Sequence, residues 1–216
     1  MIEIRGRTIE RVLIVDDDEE ARDAYEYTIE DMKLSPQKVT GPLAGIEGFV
    51  AGIQSNEAVL CDFHLKKRAY AEWNGDQLVA ACIKADIPSI LCTAITEPPI
   101  RLDLLRHIPG LLRTETLDPS KIRQAWEKCL LEIDGVFEVA RKSWRTLVRI
   151  VDLDQDHRCI YAVLPAWDVH RRVKIDMDNI PPDILALAKP DRRFHAQVNT
   201  GATDHRELFF DEWEAN

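Results

Sequence analysis

The chain has 216 residues, of which 45% are apolar and 31% charged, with a formal net charge of -10. That length supports one large or two smaller cores. The negative charge works against nucleic-acid binding unless a local basic patch overrides the global field. No stretch approaches the roughly 18 apolar residues of a membrane span, and the first residues lack a hydrophobic run of signal-peptide length. A soluble, cytoplasmic protein is therefore expected. The five cysteines, Cys61, Cys82, Cys92, Cys129 and Cys159, show no C-x-x-C spacing, and four sit in apolar stretches. This predicts reduced, mostly buried thiols and no zinc centre.

Val12-Leu13-Ile14-Val15 is a short apolar run that ends in Asp16-Asp17-Asp18. It reads as a buried parallel strand. Ala21, Ala24, Tyr25, Thr28, Ile29 and Met32 then recur at helical spacing. A brief second strand is expected at Lys38 to Thr40, and a glycine-weakened helix over Gly45 to Ile53. Ala58 to Cys61 is another apolar run, ending at Asp62. The loop that follows is long and carries Lys66, Lys67, Arg68, Tyr70 and Trp73 before a helix from Gly75 to Ala85. Ile87 to Cys92 reads as a strand ending at Thr93. A short helix over Ile100 to His107 and a minimal strand at Leu111-Leu112 come next. Asp118-Pro119 has the form of an N-cap with proline at the first helical position. Ile122, Ala125, Trp126, Cys129, Leu130 and Ile133 make the last apolar stripe, and Gly135 is the expected stop.

Strand and helix alternate five times, which predicts an open, doubly wound parallel sheet. Ligands of such sheets bind at the carboxyl ends of the strands, where Asp16, Asp17, Asp62 and Thr93 fall. Beyond about residue 136 the texture becomes short β-like segments: Val148 to Val151, Cys159 to Leu164, Val169 to Ile175, Phe194 to Val198 and Leu208 to Phe210. Turn-rich stretches separate them. The expected organisation is a flavodoxin-like (βα)5 domain over residues 1–134, a linker over 135–143, and a small mostly-β barrel-like or sandwich domain over 144–216.

Two carboxylates at one strand end and a third at its neighbour suit a hard divalent cation. Such a cation can neutralise a phosphoryl group in transfer. With Val12-Leu13-Ile14-Val15-Asp16-Asp17, Val59-Leu60-Cys61-Asp62 and Ile90-Leu91-Cys92-Thr93-Ala94 in order, residues 9–134 resemble the receiver domains of two-component response regulators. The resemblance implies Asp62 as phosphoacceptor and Mg²⁺ held by Asp16, Asp17, Asp62 and the backbone carbonyl of His64. Thr93 would bind the phosphoryl group and act as the switch, with Ala94 small enough to admit it. The partners implied are a sensor histidine kinase or a phosphotransfer protein. No turnover enzyme is implied.

Pro109-Gly110-Leu111-Leu112-Arg113-Thr114-Glu115 departs from the family, which has a lysine at this strand end. Either Arg113 or Thr114 stands in its place, and Leu111 stands where the family's aromatic switch residue is expected. A degenerate receiver acting as an interaction scaffold is the alternative these departures suggest. A phosphatase using Asp16-x-Asp18 is a third reading.

Simpler roles compete for several of these residues. Asp16-Asp17-Asp18 suits an acid-rich helix start. Asp152, Asp154 and Asp156 fail as a calcium loop because His157 and Val163 occupy its glycine and glutamate positions. His170 to Lys174 and Arg192 to His195 are basic but read as solvated strand faces, so nucleic-acid binding is not expected. The β-rich domain is expected to engage an unnamed protein partner, and a homodimer is compatible with the sequence.

Overall fold

The structure is a computed structural model and describes residues 1–215, the side chain of Arg68 lying outside the described set. The chain divides into two compact units. The first comprises Met1–Ile100 and His107–Val136, and the second Arg101–Arg106 and Phe137–Asn216.

In chain order the first unit begins with β1 (Ile2–Ile4) and β2 (Arg7–Ile9), a small antiparallel hairpin. Then follow β3 (Arg11–Val15), α1 (Glu19–Asp31), β4 (Ser35–Lys38), α2 (Ile46–Ala51), β5 (Glu57–Asp62), α3 (Gly75–Lys84) and β6 (Ser89–Thr93). The short α4 (Leu102–Leu105) falls within the second unit. The chain returns to the first unit through β7 (Leu111–Arg113) and α5 (Pro119–Ile133).

The five main strands form one parallel sheet in the order β4-β3-β5-β6-β7. This is the flavodoxin-like order, with its switch point at β3 and β5. Val12, Ile14, Ala58, Leu60 and Ile90 meet Tyr25 and Ile29 of α1 and Ile122, Trp126 and Leu130 of α5 in one core. Strand residues of the opposite parity, including Leu13, Val59 and Leu91, are buried as well, and α3 lies along β5 and β6. Burial on both faces explains the unbroken apolar runs.

The helices begin as capping rules require. The Asp18 side chain accepts from the Glu20 N–H, and Asp118 caps α5 with Pro119 in its first turn. The second strand departs from the expected Lys38–Thr40. It runs from Ser35 and contains Pro36, tolerable because β4 is an edge strand with a free side.

The second unit continues with β8 (Trp144–Asp154), β9 (Cys159–Leu164), β10 (Asp168–Asp176), α5's short successor α6 (Pro182–Leu185), β11 (Arg193–Val198) and β12 (Phe210–Ala215). These strands pair antiparallel as β10-β9-β8-β11-β12. Val148, Ile150, Ile160, Ala162, Phe194, Ala196 and Phe210 form its core, with Leu102 packed against them. The final strand starts later than the expected Leu208, because Asp204 caps a 3-10 turn over His205–Glu207.

Candidate functional site

Backbone register assembles the acidic rim. Val15 pairs with Cys61, so Asp16 and Asp62 are the next residues of two adjoining parallel strands. Asp62 pairs with Cys92, which places Thr93 one step beyond it on β6, and Thr93 pairs with Arg113 on β7. Residues far apart in sequence therefore emerge at one sheet end. Gly75 makes this possible from behind: a Cβ there would lie 1.9 Å from the Asp62 carbonyl oxygen and 2.8 Å from Cys61 Sγ.

Asp16 is 3% exposed and Asp17 is 7% exposed. Burial pushes the Asp16 carboxyl up to about 7, despite a 2.8 Å hydrogen bond from the Asp18 N–H, and the charges of Asp62 and Asp17 add to the rise. Burial also raises Asp62. Backbone donors at His64 and Phe63 oppose that rise, the His64 N–H lying 2.7 Å from Asp62 Oδ2. Asp17 Oδ2 accepts the Lys67 N–H at 2.8 Å. Asp18 differs from its two neighbours: it is exposed and serves as the α1 cap.

The hydroxyl side is equally defined. Thr93 is 1% exposed, and its Oγ1 accepts the Ile95 N–H at 3.0 Å. Arg113 donates from Nη2 to the Ala94 carbonyl at 2.6 Å and pairs with Glu115 at 3.3 Å. Its Nη1 is buried without a hydrogen-bond acceptor among the described residues. The Thr114 and Tyr25 hydroxyls are buried neighbours that face each other. Of the two candidates for the lysine position, Arg113 reaches the loop after Thr93, while Thr114 turns toward Tyr25. Leu111 is 42% exposed.

Among the described residues no three His, Cys, Asp or Glu side chains form a ready metal cage. The donor set still suits Mg²⁺, which uses one or two carboxylates and keeps several waters. The excess of buried carboxylate over local positive charge also favours a divalent cation. The five cysteines are all buried and unpaired by disulfides. Among the described residues, no helix is long and apolar enough to cross a membrane.

Residues reached through backbone groups were not visible in the sequence. The Lys67 amide on Asp17 and the Arg22 guanidinium on the Asp16 carbonyl both shape the rim. The length of the loop after Asp62 was the one available signal.

No family model matches the chain, and no curated protein does. Many of the solved structures similar to this chain are receiver domains of response regulators. A response regulator receiver domain protein from Clostridium thermocellum is 14% identical, with 59% of this chain and 98% of that chain covered and a TM-score of 0.46. The N-terminal domain of a response regulator/sensory box/GGDEF three-domain protein from Carboxydothermus hydrogenoformans is 18% identical, with 58% and 98% covered and a TM-score of 0.45. A response regulator from Burkholderia pseudomallei, with a phosphorylated aspartic acid, a calcium ion and citrate, is 14% identical, with 58% and 71% covered and a TM-score of 0.44.

Proposed function

We propose that the chain is a response regulator whose first unit accepts a phosphoryl group on Asp62. The observation that carries this reading is the parallel register that delivers Asp16, Asp17, Asp62 and Thr93 to one sheet end. A carboxylate oxygen of Asp62 attacks phosphorus, the bond from phosphorus to the donor breaks, and its electron pair leaves with the donor. Asp16, Asp17, Asp62 and the His64 carbonyl would hold Mg²⁺, which would supply charge neutralisation. Thr93 donates its hydroxyl to one phosphoryl oxygen. The buried Arg113 Nη1 is a second donor in need of an acceptor. A sensor histidine kinase or phosphotransfer protein fits as donor, and the second unit as the part that engages a protein partner.

The reading is tested by intact-mass measurement after incubation with acetyl phosphate and Mg²⁺. Wild type should gain one phosphoryl group, and Asp62→Asn should gain none. Equal labelling of both would refute it. An arginine in place of the lysine and the exposed Leu111 favour a second reading, a phosphorylation-independent scaffold. Absence of labelling in wild type with every donor class would select that reading.

A further inference from the structure

The segment between Asp62 and Gly75 is long enough to be an ordinary solvated loop. Its burial says otherwise: Leu65 is 0%, Tyr70 6%, Ala71 6% and Trp73 8% exposed. It closes on itself through the Ala71 N–H to the Leu65 carbonyl at 2.9 Å and a 3-10 turn over Lys67–Ala69. It is also pinned to the loop after β4. The Tyr70 hydroxyl donates to the Val39 carbonyl at 2.8 Å, the Leu43 N–H to the Tyr70 carbonyl at 2.6 Å, and Trp73 Nε1 to the Ala44 carbonyl at 3.2 Å. The fit is close: a Cβ on Gly41 would come within 2.6 Å of Tyr70 Cδ2. On its inner side the Arg22 guanidinium lies 5.8 Å from the Tyr70 ring centroid and donates to the Asp16 carbonyl. The turn then presents the Lys67 N–H to Asp17 Oδ2 at 2.8 Å.

We infer that this segment is an outer shell built for the acidic rim, in which the Lys67 backbone amide positions Asp17 for a divalent cation. The inference rests on the reading of that rim as a Mg²⁺ site. Fixing one carboxylate oxygen with a pinned amide removes rotamer freedom before binding, which lowers the cost of taking up the ion. It also leaves Asp17 a single oxygen to offer, which suits Mg²⁺ better than the bidentate coordination common for Ca²⁺. Outer-shell partners of this kind are typically worth about 10–100-fold in metal affinity. Lys67 is thus a positioning residue that acts through its main chain, and its side chain is dispensable.

Calorimetric titration of the full chain with Mg²⁺ alone tests this. Lys67→Ala keeps the amide and should bind like wild type. Lys67→Pro removes the amide and should bind about 10-fold more weakly or worse. Proline strains Lys66, which sits in the right-handed helical region, so Tyr70→Ala provides a second arm. It loosens the segment without replacing an acid and should weaken Mg²⁺ in the same direction. Wild-type affinity in Tyr70→Ala, or in a folded Lys67→Pro, overturns the inference, as does an equal loss in Lys67→Ala. A wild type that binds no Mg²⁺ overturns the reading beneath it instead.

Discussion

The two sheets bury their strands by different rules, and the difference locates function. In the first unit β3, β5 and β6 are buried along nearly their whole length, and polar side chains collect where the strands end. There the Asp16 carboxylate is buried and crowded by like charge, and the Arg113 side chain holds a buried Nη1 without a described partner. In the second unit β8 and β11 alternate buried and less buried residues, the pattern of a sheet with one covered face. Its buried polar residue Asn199 is saturated: its amide donates to the Ala140 and Glu207 carbonyls at 2.8 and 2.9 Å, and its oxygen accepts the Phe209 N–H at 2.8 Å. Trp213 Nε1 of the second unit is also buried without a described partner, so what sets the first sheet apart is the gathering of carboxylates at its strand ends.

The severest test of the comparison uses backbone clearance, which should matter equally in both units. A Cβ at Gly75 would sit 1.9 Å from the Asp62 carbonyl oxygen, and one at Gly201 would sit 2.1 Å from that of Val139. Gly75→Ala and Gly201→Ala should each cost about 4–5 kcal/mol, the range of the worst single substitutions. Hydrogen exchange resolved by peptide should show lost protection confined to the unit that carries the change. Protection lost in both units by either variant would show that they do not unfold separately.

Buried polar residues should then separate the units by sign. Asn199→Ala orphans three backbone groups and should destabilise the second unit by roughly 2–4 kcal/mol. Asp16→Asn should stabilise the metal-free first unit. Because the folded pKa of Asp16, about 7, lies above its ordinary 3.8, the folded state holds the proton longer than the unfolded state. Stability is therefore fullest below pH 3.8 and is lost as pH rises through about 7, by roughly 2–4 kcal/mol. Urea unfolding in chelator between pH 4 and 8 should show this slope in wild type and a flattened one in Asp16→Asn. A slope that survives the substitution would assign it to other groups.

The same contrast explains what the sequence made legible. Apolar runs ending in Asp16-Asp17, Asp62 and Thr93 announce both the parallel strands and their rim, because burial on two faces leaves no room for polar residues until the strand stops. The β1–β2 hairpin was hidden because its turn uses Arg5 and Gly6 with φ of 53° and 77°. The favoured turn pairs put Asn or Asp before the glycine. The strand at Ser35–Lys38 was hidden by Pro36, which reads as a breaker until the strand is known to lie at an edge. The sequence alone left the faces of Arg113 and Thr114 open, since a one-residue slip in register exchanges them, and the pairing of Thr93 with Arg113 appears only in the sheet. The hold of Lys67 on Asp17 was invisible because every residue but proline offers the same amide.

The smallest expected effect concerns charge on the surface, where the two units should no longer differ. In the second unit Arg145 meets Glu214 at 2.8 Å with both side chains about half exposed, and the Glu214 carboxyl is held below its usual range by that guanidinium. In the first unit Lys38 meets Asp23 and Glu26, each at 2.8 Å, at similar exposure. Water screens such pairs and holding long side chains in place costs entropy, so measured values run at about 0.2–1 kcal/mol. Arg145→Ala and Lys38→Ala should therefore each shift unfolding only slightly, and the shift should shrink further in 1 M salt. A salt-insensitive loss at Arg145 would mean that its aliphatic stem matters more than its charge. That outcome would move Arg145 from the solvated face of the second sheet to its packing.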